Sequence, residues 1–161
     1  MSTLLRSLIG LTLCLAWLQA SSSPLEAKVK AAYLYNFTKF VEWPDTTKNQ
    51  PLQLCVVGDS QVAKWLDEAT PKGDKGLTVT TGTKNLQECH LLYLGATETI
   101  PATLKMETIL TVSDNPTFKE HGGMITLFLE NGKIRFEINM QAVKKSNLKI
   151  SSKLLELAKT R

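Results

Sequence analysis

The sequence predicts an α/β sandwich with a Rossmann-like, mostly parallel sheet and a C-terminal antiparallel hairpin. Three observations predict it. Helix-like and strand-like segments alternate through the front of the chain, the order expected when helices layer on one sheet. The run Cys89-His90-Leu91-Leu92-Tyr93-Leu94 is apolar without alternation, as in a strand covered on both faces. Asn131-Gly132 separates two strand-like runs, the strongest short hairpin signal. With 161 residues, 43% hydrophobic and 21% charged, the chain suits one domain with its own core, and disordered or collagen-like classes are excluded.

The elements follow in order. A helix is expected over Glu26 to Trp43, with Val29, Ala32, Tyr33, Asn36, Phe37 and Phe40 as a buried stripe at i, i+3, i+4 spacing. Asn36 is the polar exception on it. Pro44 disfavours helical geometry at Trp43 and ends the helix. Leu52 to Val57 is a strand, stopped by Gly58-Asp59-Ser60, and Gln61 to Ala69 a helix. Pro71 to Gly76 is a turn. Strands are expected at Leu77 to Thr81, Cys89 to Leu94 and Ile109 to Val112, with a short helix between Ile100 and Lys105. The hairpin joins Met124–Glu130 to Lys133–Asn139. A short helix over Met140 to Lys145 and an extended Leu148 to Ile150 come next. Ser151 or Ser152 then caps a last helix, Lys153 to Lys159.

Residues 1–22 read as a secretory signal peptide. Arg6 supplies the positive start, Leu8 to Leu18 the apolar run, and Ala20, Ser21 and Ser22 a small-residue exit. A spanning helix needs roughly 20 apolar residues, more than this run offers. Cleavage leaves 23–161 as a single domain and lowers the net charge from +4 to +3. It also takes away Cys14, so an odd count of three cysteines becomes the pair Cys55 and Cys89. An even count in an exported chain suggests a disulfide; two buried thiols or a metal pair are the alternatives. If the strand starting at Cys89 lies beside the one carrying Cys55, their α-carbons can approach the roughly 5.5–6 Å that a disulfide prefers. No further run can span a bilayer, so the mature protein is expected to be soluble.

The chemistry-bearing residues are sparse. Gly58-Asp59-Ser60 is similar to the start of GDS-type serine hydrolases, with Ser60 as nucleophile. No Asp-x-x-His accompanies it, and a helix cap explains the same residues. Phosphate-binding glycine patterns are absent. Cys89 and His90 point to opposite faces of a strand and cannot easily share a metal, so neither metal nor cofactor is expected. Gly122-Gly123 reads as a turn, or as a place where a partner's backbone could approach closely. Lys144, Lys145, Lys149 and Lys153 make the last third basic, but no stacking aromatics lie among them, so no nucleic-acid partner is expected. Trp43, before Pro44, is the best exposed-aromatic candidate for a protein contact.

Several segments resemble the YfiR/HmsC-like family: the run from Val29 to Pro44 (VKAAYLYNFTKFVEWP), Cys89 to Leu94, Gly122 to Ile125, Ile134 to Asn139, and Leu148 to Ala158. They cover nearly all of the mature chain in order. The resemblance implies a small periplasmic protein, not an enzyme, which represses an inner-membrane diguanylate cyclase by binding its periplasmic sensor region. Release would raise cyclic di-GMP and favour biofilm. Other members accompany sensor kinases, which keeps open a small-ligand sensor coupled to a kinase. Members contain disulfides and often form dimers, so a homodimer is a further expectation. Characterised members can carry a second cysteine pair, which this chain lacks after Cys89. Partner contact is then sought in the polar set Asn36, Arg135, Glu137, Asn139, Ser151 and Ser152, together with Trp43. Local roles as helix caps and cross-strand pairs compete for most of these residues.

Overall fold

The structure, a computed structural model, describes residues 23–44, 50–71 and 76–159. The signal segment and parts of the two loops expected after Pro44 and Pro71 lie outside the described residues.

The first helix, α1, runs Pro24–Phe40. Ser23 caps it by accepting the Glu26 N–H, and proline in the first turn forgoes a hydrogen bond that no helix supplies there. It stops three residues before the expected end. Val41–Glu42 forms β1, which pairs antiparallel with β8, Lys149–Ile150, and the Ser151 N–H takes the Phe40 carbonyl at 3.0 Å. A strand partner distant in sequence thus outcompetes another helical turn. Of the expected stripe, Val29, Tyr33, Phe37 and Phe40 pack on the core, but the fully buried face is centred elsewhere. Ala27, Lys30, Ala31, Leu34, Phe37 and Thr38 are buried, while Ala32 and Asn36 are exposed. Hydrophobicity alone disfavours a stripe containing Lys30 and Thr38. The fold accepts both because each finds a hydrogen-bond acceptor, Lys30 at Asp114 and Thr38 at the Tyr35 carbonyl.

The main sheet takes β2 (Leu52–Val57), β3 (Leu77–Thr81), β4 (Leu91–Leu94), β5 (Leu110–Ser113), β6 (Ile125–Glu130) and β7 (Lys133–Ile138) in the order β3-β2-β4-β5-β6-β7. Neighbours are parallel except β6 and β7, whose antiparallel register is set by Asn131 and Gly132, both at positive φ. The architecture is the Rossmann-like sandwich with its C-terminal hairpin. Helix α2 (Ser60–Ala69) connects β2 to β3; α3 (Met140–Lys144) and α4 (Ser152–Leu157) follow the hairpin.

Each face of the sheet has its own core. Leu54, Val56, Leu91, Tyr93, Leu110, Val112, Leu127 and Phe136 pack beneath α1 and α2. Val57, Leu92 and Leu94 form the other core with Leu86, Ile109 and Phe118. That second face is covered by irregular turns and two 3₁₀ segments, Leu86–Glu88 and Phe118–His121. The helix expected between Ile100 and Lys105 is absent: those residues form turns. The Gln87 side chain there donates to the Lys105 carbonyl at 2.9 Å and accepts its N–H at 3.0 Å, fixing the backbone without helix.

The chain leaves β2 toward β3 on one side and returns to β4 on the other. This is a topological switch, and in doubly wound sheets the crevice opens at the carboxyl ends of the strands there. Here those ends meet closely. A Cβ on Gly95, after β4, would sit 2.9 Å from the Gly58 carbonyl oxygen, and one on Gly58 would sit 2.5 Å from Glu98 Cγ. Gly58 has φ +79°, so glycine is required both for the turn and for the approach.

Candidate functional site

The residues expected to make contacts fall into two groups by the elements that carry them. Arg135, Glu137 and Asn139 belong to β7 and its end. Alternation along a strand puts Arg135 and Glu137 on one face. Glu137 meets Lys119 at 3.5 Å across to the 3₁₀ turn. Asn139 accepts the Ala142 N–H as cap of α3 while its amide donates to the carbonyls of Gly123 (3.1 Å) and Lys119 (3.3 Å). These two side chains therefore tie the Lys119–Gly123 turn to the hairpin. Arg135 Nε is buried without a hydrogen-bond partner.

Trp43, Ser151, Ser152 and Asn36 sit on or near the small β1–β8 sheet and α1. Trp43 is half-buried and committed inward: its indole N–H donates to the His90 carbonyl at 3.0 Å, and its ring meets His90 edge-on. Ser151 caps α4 through Leu154 N–H, Ser152 opens that helix in the open, and Asn36 is exposed on α1.

A cleft of about 530 Å³ lies beside Asn139. Lys105, Lys119 and Lys145 line it with Glu107 and Glu120, so its charge is mixed. Gly122, at φ +82°, turns the backbone on its rim. Gly123 does not offer an open approach: a Cβ there would fall 2.2 Å from the Phe118 ring, so the glycine makes room for Phe118.

A second cleft, about 670 Å³, is bordered by Gly58, Asp59 and Ser60 at the carboxyl edge of β2. Ser60 is the first residue of α2, and Asp59 caps that helix by accepting the N–H groups of Gln61 (3.1 Å) and Val62 (3.0 Å). His90 precedes β4 at the opposite edge of the parallel sheet, about 13 Å away at 3.3 Å per strand residue. Its Nδ1 accepts the Gln53 N–H at 2.9 Å, and burial pushes its pKa below the ordinary value. His121 Nδ1 is engaged with the Thr117 carbonyl at 2.9 Å. Among the described residues, no three His, Cys, Asp or Glu side chains gather as a metal site.

Cys55 and Cys89 are joined as a disulfide with α-carbons 5.9 Å apart. It ties the second face of β2 to the segment entering β4, and both sulfurs sit in the core of that face.

Sequence reasoning missed the most polar buried cluster. Lys30 is 3% exposed and lies 2.5 Å from Asp114 and 3.3 Å from Glu26. Burial alone would lower the lysine pKa, but the bond and charge of Asp114, helped by Glu26, outweigh it and raise the value. The Tyr93 hydroxyl, fully buried, lies against Asp114 without a well-aligned bond, and Asp114 Oδ1 is likewise unsatisfied. Burial, then the charges of Asp114 and Asp59, push the Tyr93 phenol far above the ordinary tyrosine range. The signal was legible in principle: Lys30 lies on the ladder of Ala27, Ala31 and Leu34, where a lysine requires an acid from elsewhere.

Among the described residues, no helix is long and apolar enough to cross a membrane. A family model described as YfiR/HmsC-like matches residues 27–159, which takes in every strand and both termini of the described fold to within a few residues.

Proposed function

The chain belongs to the YfiR/HmsC-like family, whose members are periplasmic regulators of cyclic di-GMP signalling, and from that premise we propose a repressor. It binds the periplasmic sensor region of an inner-membrane diguanylate cyclase and holds that enzyme in its less active state. The observation that carries this reading is the family match over residues 27–159, at nearly full domain length. Two features support it. The Cys55–Cys89 disulfide suits an oxidising compartment, which fits export through residues 1–22. Glu137, Asn139 and Ser151 cap helices or pin turns, as in a body built for binding, and no catalytic constellation forms among the described residues. Repression follows if the protein binds one conformation of the sensor more tightly than the other; tight but equal binding would shift nothing.

The test is recovery from detergent-solubilised envelope extracts by the mature, oxidised protein. The expected result is a membrane diguanylate cyclase that elutes with it and whose activity falls as the protein is added. Recovery of no membrane signalling protein overturns the reading. The cleft beside Asn139 favours one second reading, a small-ligand sensor coupled to a sensor kinase. A small molecule retained by the natively purified protein, and lost from an Asn139→Ala variant, would support it.

A further inference from the structure

We propose that the outward face of α1 is the docking surface, and that it takes an acidic, partly apolar segment of a partner protein. The inference rests on the regulatory reading above and locates its contact. The residues that sequence periodicity marks as core include Ala32 and Asn36, and the fold leaves both exposed. Exposed helices normally turn a charged face to water. After Glu26, which is committed to Lys30, α1 has no acidic residue at all. Its outward surface is Leu25 (72% exposed), Ala32 and Asn36, flanked by half-buried Tyr35 and by Lys28 and Lys39.

The lysines are arranged with aromatic rings. Lys28 Nζ lies 5.0 Å from the Trp65 ring centroid, and Lys39 Nζ 4.9 Å from that of Tyr35. Lys153 repeats the pattern over Phe40 at 5.5 Å. Aromatic surface that carries cations at its edge is the composition of an interface core with a charged rim. A carboxylate arriving from a partner draws such a lysine outward and uncovers the ring for contact. Charge decides the occupant. A second copy meeting this face across a two-fold axis would set Lys28 and Lys39 against the same cationic face, where α1's one acid, Glu26, is paired with Lys30. An acidic segment answers both.

Photocrosslinking in cells tests this whichever protein the partner is. Full-length protein carries p-benzoylphenylalanine at one position: Ala32 or Asn36 on the face, or Lys84, which enters the 3₁₀ segment over the other face of the sheet, all exposed. The expected result is an adduct from Ala32 and Asn36 but not from Lys84. Its crosslinked peptide belongs to another protein and has more Asp and Glu than Lys and Arg. Adding Lys28→Glu and Lys39→Glu lowers the adduct about tenfold while the thermal midpoint of the purified protein stays unchanged. An adduct to a second copy, to residues 1–22 of the same chain or to lipid overturns the proposal. So does equal yield at Lys84, or no adduct. A crosslinked acidic segment from a protein that is not a cyclase upholds the surface and refutes the repressor reading instead.

Discussion

Replacing Lys30 with methionine keeps the length and apolar stem of the side chain and removes its charge. Asp114 and Glu26, 16% and 31% exposed, then lose their cation. Breaking a buried pair by deleting one partner costs about 3–5 kcal/mol, and the partial exposure of both carboxylates puts the cost here at about 3 kcal/mol. Unfolding entropy for a domain of this size is about 0.28 kcal/mol/K, so the thermal midpoint falls by about 11 °C. Lys30→Met combined with Asp114→Asn removes most of the unpaired charge, so it regains at least half of the loss. Urea unfolding of the four proteins in the cycle gives the coupling directly. The folded lysine is held above its ordinary 10.5, so the pair contributes fully below that pH and its contribution is lost only as pH rises through the folded value. The deficit of Lys30→Met is therefore full at pH 7 and shrinks only in strong alkali. A loss under about 1 kcal/mol at pH 7, or a double variant no better than the sum of the single ones, refutes the reasoning.

Other outcomes follow from the same geometry. Reducing Cys55–Cys89, which closes a 34-residue separation, costs about 4 kcal/mol in the chain-entropy model. Calorimetry should show a midpoint lowered by about 14 °C, and intact mass a gain of about 2 Da that marks the bond itself. His90 is kept neutral by burial, whereas the unfolded chain protonates it near pH 6.5, so the urea midpoint should fall as pH drops below that value and level off under the folded pKa. His90→Asn, which can still accept the Gln53 N–H, should flatten that part of the profile. Gly123→Ala drives a methyl into the Phe118 ring and should cost about 2 kcal/mol in denaturant titration. Tyr93→Phe removes a buried hydroxyl that lacks a well-formed bond and should leave stability within about 1 kcal/mol of the parent or above it.

The parts of the fold that depend on neighbours in sequence were legible from the residues alone. Asp59 and Ser60 read as a helix start, and Asp59 caps α2. Asn131-Gly132 reads as a hairpin turn, and both residues have positive φ. The expected cap at Ser151 is observed at α4. Misreadings occurred where a distant partner decided the matter. Trp43 looked exposed beside Pro44, but the His90 carbonyl, remote in sequence, claims its indole. Ile100 to Lys105 looked helical, but Gln87 pins it in turns. Of the candidate contact residues, Glu137 and Asn139 converge on the Lys119–Gly123 turn, while Asn36 alone stands on the unusual face of α1.

The sequence by itself determined the layered α/β plan and the parallel front half with its hairpin, for which periodicity and turn chemistry suffice. Counting cysteines suggested a Cys55–Cys89 bond, and the structure joins them. Only the tertiary structure decided where the buried face of α1 is centred. Two stripes overlap on that helix, and the hydrophobic effect acting on each residue separately prefers the one without lysine. Asp114, at the carboxyl end of β5, makes the other stripe tenable by pairing with Lys30 across 84 positions of chain. Burying one charge required its partner, and that choice turned Ala32 and Asn36 toward the solvent.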